Sequence, residues 1–254
     1  MAKNSEIQWT DDTWNPFLGC ARMSPACKFC YMYRIETRWG RDPENVRKGK
    51  TTFSLPKKWK SGRLIFTCSM SDFFIDKADS WRDDAWEVIR DCPQHTFQIL
   101  TKRPERIKDH LPDYFDEIAD RVWIGTTVES QTFVNRIEYL LDLPCKTFVS
   151  FEPLLGSIEW DDNMSQLDWC IVGGESGNET GDYLYRPMEI SWAEYLVEKA
   201  NENNVPCFVK QMGTYLYHQL GMTDRHGSIM EEFPVKLRVR EFPPNKHGKV
   251  NVYG

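Results

Sequence analysis

Histidine is scarce in this chain, at five of 254 residues, and none falls near the one place where cysteines crowd together, GCARMSPACKFCY at residues 19–31. A closed zinc site normally takes four ligands. Cys20, Cys27 and Cys30 are therefore one short, and no second Cys-x-x-Cys supplies the remainder. Also missing is any run of about 18 apolar residues, the length that spans a bilayer. No charged-then-apolar segment opens the sequence as a secretion signal would. The expectation is a cytoplasmic protein with no membrane partner. There its eight cysteines stay reduced, which removes a disulfide framework and leaves metal binding as the role of a close cluster. Internal repeats and low-complexity tracts are absent too.

The net charge of −6 argues against a general nucleic-acid coating protein. Its distribution is uneven. Residues 1–60 carry twelve Lys/Arg against six Asp/Glu, and residues 204–254 carry seven against four, so an acidic middle lies between two basic ends. Those ends form either a face for an anionic ligand or ordinary solvated surface.

From residue 62 onward short apolar runs alternate with amphipathic segments. The runs are RLIFTCS (63–69), HTFQILTK (95–102), RVWIGTTVE (121–129), KTFVSFEP (146–153), DWCIVGGE (168–175) and VPCFVKQ (205–211). Each is apolar on successive residues, the pattern of a strand covered on both faces. A first strand is expected near WNPFLG (14–19), followed by a helix from about Cys30 to Trp39. Further helix starts are predicted at Ser80, Pro104, Ser130 and Ser191, with Pro93, Pro112, Pro144 and Pro206 as stops. Strand and helix in alternation imply right-handed crossovers and a parallel sheet. Seven strands predict an α/β fold, a partial or irregular (β/α) TIM-type barrel over residues 1–213. Residues 214–254 read as an irregular C-terminal extension packed on it.

In such a barrel functional groups gather where strands end and loops begin. Those ends read Cys20; Ser69, Ser71 and Asp72; Lys102 and Arg103; Thr127 and Glu129; Ser150 and Glu152; Gly173, Gly174 and Glu175; Lys210 and Gln211. Polar strand ends and surface salt bridges are the plain explanation for any one of them. As a set they form a charged rim. Asp72 is placed to meet an ammonium group, Glu175 an amine or ribose hydroxyl, and Lys102, Arg103 and Lys210 a carboxylate or phosphate. The glycines would let a ligand approach the backbone. For the three cysteines two readings stand. A remote Cys or His completes a structural zinc site, or three thiolates hold a four-iron cubane and leave one iron free for a small ligand. The other five cysteines sit in or beside apolar runs as small hydrophobes, with Cys68 retained as a possible extra ligand.

The cluster loop after the first strand, CKFC and the parallel partial barrel together resemble the radical S-adenosylmethionine (SAM) superfamily. The usual cysteine spacing there is three residues and then two, whereas this chain has six and then two. More specifically, IQWTDDTWNPFLGC, SPACKFCY, SMSDFF, LTKRPER, SFEPLLG, DWCIVGGESG and FVKQMG resemble a phage-associated family of uncharacterised three-Cys-motif proteins, distantly similar to spore photoproduct lyases. The resemblance implies a [4Fe–4S] cluster on Cys20, Cys27 and Cys30 whose free iron is chelated by SAM. Reductive cleavage of SAM would give a 5′-deoxyadenosyl radical that takes hydrogen from a substrate. It also implies residue roles. The backbone at Phe29 would meet the adenine, with Ser69, Ser71 and Asp72 near the methionyl amine. Thr127 and Glu129 would lie near the ribose and Gly173, Gly174 and Glu175 along the adenosine. Glu152 and Lys210 are the expected catalytic pair on the substrate side. The expected substrate is a nucleic-acid base or nucleotide, with Trp39, Trp59 and Tyr217 as stacking aromatics. An external electron donor of flavodoxin or ferredoxin type is implied, in a host cytoplasm if the chain is phage-encoded, with a monomer as the expected state. The contrasting expectation is a non-catalytic binding or regulatory protein stabilised by Zn or Fe–S.

Overall fold

The computed structural model describes residues 5–244. Its nine strands are β1 (Asp12–Trp14), β2 (Phe17–Leu18), β3 (Arg47–Lys48), β4 (Leu64–Thr67), β5 (Thr96–Thr101), β6 (Val122–Thr127), β7 (Lys146–Phe151), β8 (Trp169–Gly173) and β9 (Cys207–Gln211). Seven of them form one parallel sheet in the order β1-β4-β5-β6-β7-β8-β9, and β2 pairs antiparallel with β3. Apart from the β2–β3 pair inserted between β1 and β4, each strand lies beside its predecessor in the chain, and β1 and β9 remain terminal. That is the plan of a (β/α) barrel left open, a partial TIM-type barrel. No helix among the described residues is long and apolar enough to cross a membrane.

The described residues divide into two compact units, one running to Thr126 with Asp142–Lys146, the other comprising Thr127–Leu141 and Thr147 onward. In the first, β1, β4, β5 and β6 pair in parallel register. Every residue of β6 is buried, as a doubly covered strand requires. Helix α1 (Tyr31–Arg38) begins right after Cys30, and α2 (Asp79–Arg90) buries Ala85, Trp86, Val88 and Ile89. The Trp86 ring lies 4.8 Å from Phe73 and 5.7 Å from Phe115, in edge-on geometry, and its Nε1 donates to His110 O at 2.9 Å. Because Phe73 directly follows Asp72, this packing pins the loop after β4.

Several local expectations shift. The first strand is DTW at residues 12–14, not WNPFLG; the Pro16 nitrogen has no proton to give a ladder, and Phe17–Leu18 turns away to pair with β3. Ser80 lies inside α2, and Ser191 lies inside α3 (Ile190–Glu202), so neither caps its helix. The segments after Pro104 and Ser130 are 3₁₀ turns, Pro104–Arg106, Lys108–His110 and Gln131–Leu140, and not α-helices.

In the second unit β7, β8 and β9 pair in parallel, and α3 packs Ala193, Leu196, Val197 and Ala200 inward beside β8 and β9. The extension expected to be irregular from residue 214 opens with a helix, α4 (Gly213–Leu220), closed by Gly221 at φ +63°. Further on the chain returns to β9. Val209 N–H donates to Val239 O and Glu241 N–H to Cys207 O, both at 2.8 Å. Residues 245–254 of that extension lie outside the described residues.

Candidate functional site

The three cysteines belong to a loop of the first unit that is tied down at several points. Gly19 N–H donates to Met70 O (3.0 Å), Ser71 Oγ to Gly19 O (2.6 Å), and Asn15 Oδ1 accepts from Met70 N–H (2.8 Å). Gly19 has φ +91°, and a Cβ there would stand 2.7 Å from Asn45 O, so only glycine brings the chains this close. Cys20 N–H donates to Pro43 O (2.9 Å), and Tyr33 Oη donates to Cys20 O (2.8 Å). Cys27 ends the 3₁₀ turn Pro25–Cys27, its Sγ 3.9 Å from Ser24 Oγ, and Cys30 occupies the residue before α1.

At the carboxyl ends of β4 and β5 lies the anchor. Asp72 is buried and accepts four hydrogen bonds, from Phe74 N–H (3.0 Å), Thr101 Oγ1 (2.6 Å), Lys102 N–H (3.0 Å) and Arg103 Nη1 (2.9 Å). All four acceptor positions of a carboxylate are thus filled by this chain. Asp72 therefore fixes Arg103 and has no spare oxygen for an ammonium ligand. Arg103, expected at the rim, is itself buried. Its Nη2 donates to Ala21 O (3.0 Å) and its Nη1 lies 3.9 Å from Cys20 Sγ. Two further arginines hold the same loop from behind. Arg82 donates to Phe73 O (2.9 Å) and Ile75 O (2.7 Å), and Arg106 to Phe74 O (2.8 Å). Both also reach the Asp79 carboxylate. Neither was singled out in the sequence, though Arg82 stands on the apolar stripe of Ala85, Trp86 and Ile89, where a charge signals a fixed partner. Cys68, the residue after β4, has φ +67°, a region that non-glycine residues occupy at a cost of about 1–2 kcal/mol.

The thiols are shaped by this setting. Burial and then the Asp72 charge push Cys20 up to about 12, against the pull of Arg103. Burial raises Cys30 as well, opposed by the backbone N–H groups of Met32 and Tyr33 and the charge of Lys102. The charges of Cys27 and Cys30 push Cys20 in the same direction. Cys68 is pushed up by full burial and packs as a hydrophobe.

Among the described residues no group of three or more His, Cys, Asp or Glu side chains is arranged to hold a metal ion. Cys20, Cys27 and Cys30 are thus not set out as a ready site for zinc or for any other single metal ion. A [4Fe–4S] cluster would take one thiolate from each of the three cysteines. Arg103 at Cys20 and the N–H groups of Met32 and Tyr33 at Cys30 would favour thiolate charge in such a cluster, whereas in the free thiols burial outweighs them.

In the second unit the strand ends carry acid–base pairs. Arg136 Nη1 donates to Glu129 Oε2 (2.9 Å) and to the carbonyl of Thr127 (2.8 Å). Glu129 is fully buried, and its Oε1 has no hydrogen-bond partner. Glu152 accepts from Lys210 Nζ, with side chains 17% and 20% exposed. Glu175 Oε2 accepts from Arg186 N–H (2.9 Å) and Nε (2.8 Å). Gln211 Nε2 donates to Gly174 O (2.9 Å). The two glycines allow a close approach, but to this chain: a Cβ on Gly174 would stand 2.2 Å from Met212 O, and one on Gly173 would stand 3.3 Å from the Glu152 side chain. Elsewhere, Thr127 is buried at the end of β6. Ser69 Oγ accepts from Asn15 Nδ2 (3.0 Å), and half-buried Phe29 has Lys28 Nζ 5.0 Å from its ring.

Residues 4–248 match the family described as "Protein of unknown function (DUF5131)". No curated protein matches the sequence. Among solved structures the chain is similar to a spore photoproduct lyase double mutant with bound AdoMet and dinucleoside spore photoproduct, at 10% identity and a TM-score of 0.45. The likeness covers 79% of this chain and 56% of that one, so this chain spans little more than half its length. A similarity of that size carries no argument about activity.

Proposed function

We propose that this chain, which belongs to the DUF5131 family, is a radical SAM enzyme acting on a nucleic-acid base or nucleotide, phage-associated in origin and served by a flavodoxin- or ferredoxin-type electron donor. One observation carries it: buried Arg103 joins Asp72, at the carboxyl ends of β4 and β5, to the loop that carries three half-buried thiols. A loop held this firmly is preorganised for a large prosthetic group. In this proposal Cys20, Cys27 and Cys30 hold a [4Fe–4S] cluster, which when bound supplies the electron for reductive cleavage of SAM.

The chain's own groups do the rest. Arg103 and the N–H groups at the start of α1 stabilise thiolate charge. Ser69, Ser71 and the backbone at Phe29 line the loop where SAM is to be oriented, and Asp72 positions that loop through Arg103. Glu129 Oε1, buried without a partner, is the acceptor assigned to a ribose hydroxyl. Thr127, Gly173, Gly174 and Glu175 contribute backbone contacts along the adenosine. Lys210 offers a cationic N–H to an anionic substrate, and Glu152 balances it until the substrate arrives.

The test is anaerobic purification, followed by a dithionite assay for 5′-deoxyadenosine. A brown protein that forms it, and a Cys27→Ala variant that loses both colour and product, is the expected outcome. A colourless preparation with stoichiometric zinc overturns the proposal in favour of a metal-stabilised binding protein.

A further inference from the structure

We infer that the cleft formed by Arg47, Lys48, Lys50, Phe53 and Trp81 seats one nucleotide of a single-stranded nucleic acid, an inference that takes its direction from the substrate class proposed above. The cleft belongs wholly to the first unit, lies open to solvent and measures about 450 Å³, within the roughly 300–1,000 Å³ usual for small-ligand sites.

Its walls mix cations with aromatic faces. Lys48 Nζ lies 4.3 Å from the centre of the Phe53 ring, and the Trp81 ring packs 6.2 Å from Phe17, which fixes its position. Gly49 makes the turn between the two lysines narrow: its N–H donates to Pro16 O at 2.7 Å, and a Cβ there would stand 2.4 Å from Thr52 Oγ1. The cations differ in how they are committed. Arg47 is paired to buried Glu36 at 2.6 Å and Lys48 to exposed Asp84 at 2.6 Å, while Lys50 is exposed with no ion pair among the described residues. Lys50 is therefore the charge most available to a phosphate, and Lys48 can exchange one exposed anion for another at little cost.

The surroundings carry the same sign. Residues 38–60 hold eight Lys/Arg against two Asp/Glu, and Trp39 is 68% exposed. An acidic protein would be met by a broad charged face; a concave site walled by aromatic rings selects instead for a flat base between phosphates. The cleft also bears on the cysteine loop. The segment that accepts the Cys20 N–H at Pro43 O continues to Lys50 and lines the cleft.

The experiment is fluorescence anisotropy of a fluorescein-labelled single-stranded oligonucleotide with the full-length protein, titrated at several salt concentrations without SAM or reductant. Expected are binding that weakens with salt, a Lys50→Gln variant that binds several-fold less tightly with a salt slope lower by about one, and a Lys236→Gln control on the second unit that binds as the parent does. The proposal is overturned by absence of binding at low salt, by equal effects of the two substitutions, or by a polyglutamate peptide that competes as well as unlabelled oligonucleotide. Binding is read apart from turnover. Binding without SAM cleavage refutes the radical chemistry and leaves the cleft standing, and cleavage without binding does the reverse.

Discussion

The loop after β4 in the first unit and the strand ends of the second spend their carboxylates differently. In the first, Asp72 alone gathers four donors and converts them into the position of a loop. In the second, Glu129, Glu152 and Glu175 each take a cation of their own, and their side-chain exposure runs from 0% at Glu129 through 6% at Glu175 to 17% at Glu152. A saturated carboxylate is an anchor, because any movement breaks several bonds at once. A carboxylate with one cation is a balance, and the more exposed it is the less an exchange of partners costs.

Asp72→Ala should have the largest effect. It strands the buried Arg103 guanidinium, so urea denaturation should show a loss of about 3–5 kcal/mol, and iron content after anaerobic reconstitution should fall with it. A mild effect would break the contrast between the units. Arg136→Met comes next, leaving Glu129 fully buried without its cation, with a loss of about 3 kcal/mol in the same measurement. Glu152→Gln should change stability by no more than about 1 kcal/mol, since its pair is partly solvated. Under the proposed function it should also lower 5′-deoxyadenosine formation markedly; small effects on both would make the pair a surface salt bridge.

The smallest effect is a pH dependence. Burial would raise the Asp79 carboxyl, but the guanidiniums of Arg82 and Arg106 outweigh it and hold it below the ordinary 3.8. Its contribution is therefore complete above about pH 3.8 and is lost as pH falls through the lower folded value. Asp79→Asn should be the less stable protein near neutrality, with the two stability curves converging in acid. Parallel curves would remove Asp79 as a support of the Asp72 loop.

Much of this was legible in the chain. Strands covered on both faces read as unbroken apolar runs, and six such runs locate β4 to β9. The first strand escaped because DTW is too short to show a period. The 3₁₀ segments escaped because a propensity pattern does not tell i→i+3 from i→i+4 bonding. The three cysteines are visible as spacing alone. What holds them is not, because Asp72 meets Arg103 across 31 residues and Glu152 meets Lys210 across 58, and no local pattern links them. Strand-end position found the charged residues, yet it gave Asp72 and Arg103 to a ligand when they were already committed to each other.

The return of the chain along β9 has a practical consequence. Val239–Glu241 hydrogen-bond to the outer side of β9, Glu241 O accepts the Trp169 indole N–H at 2.8 Å, and Phe242 stacks on that ring. A protein shortened to end before Val239 would bare a parallel edge strand and an orphaned indole. Such a truncation invites self-association through the open edge, so deletions meant to probe the tail should stop beyond Phe242 if the product is to stay monodisperse.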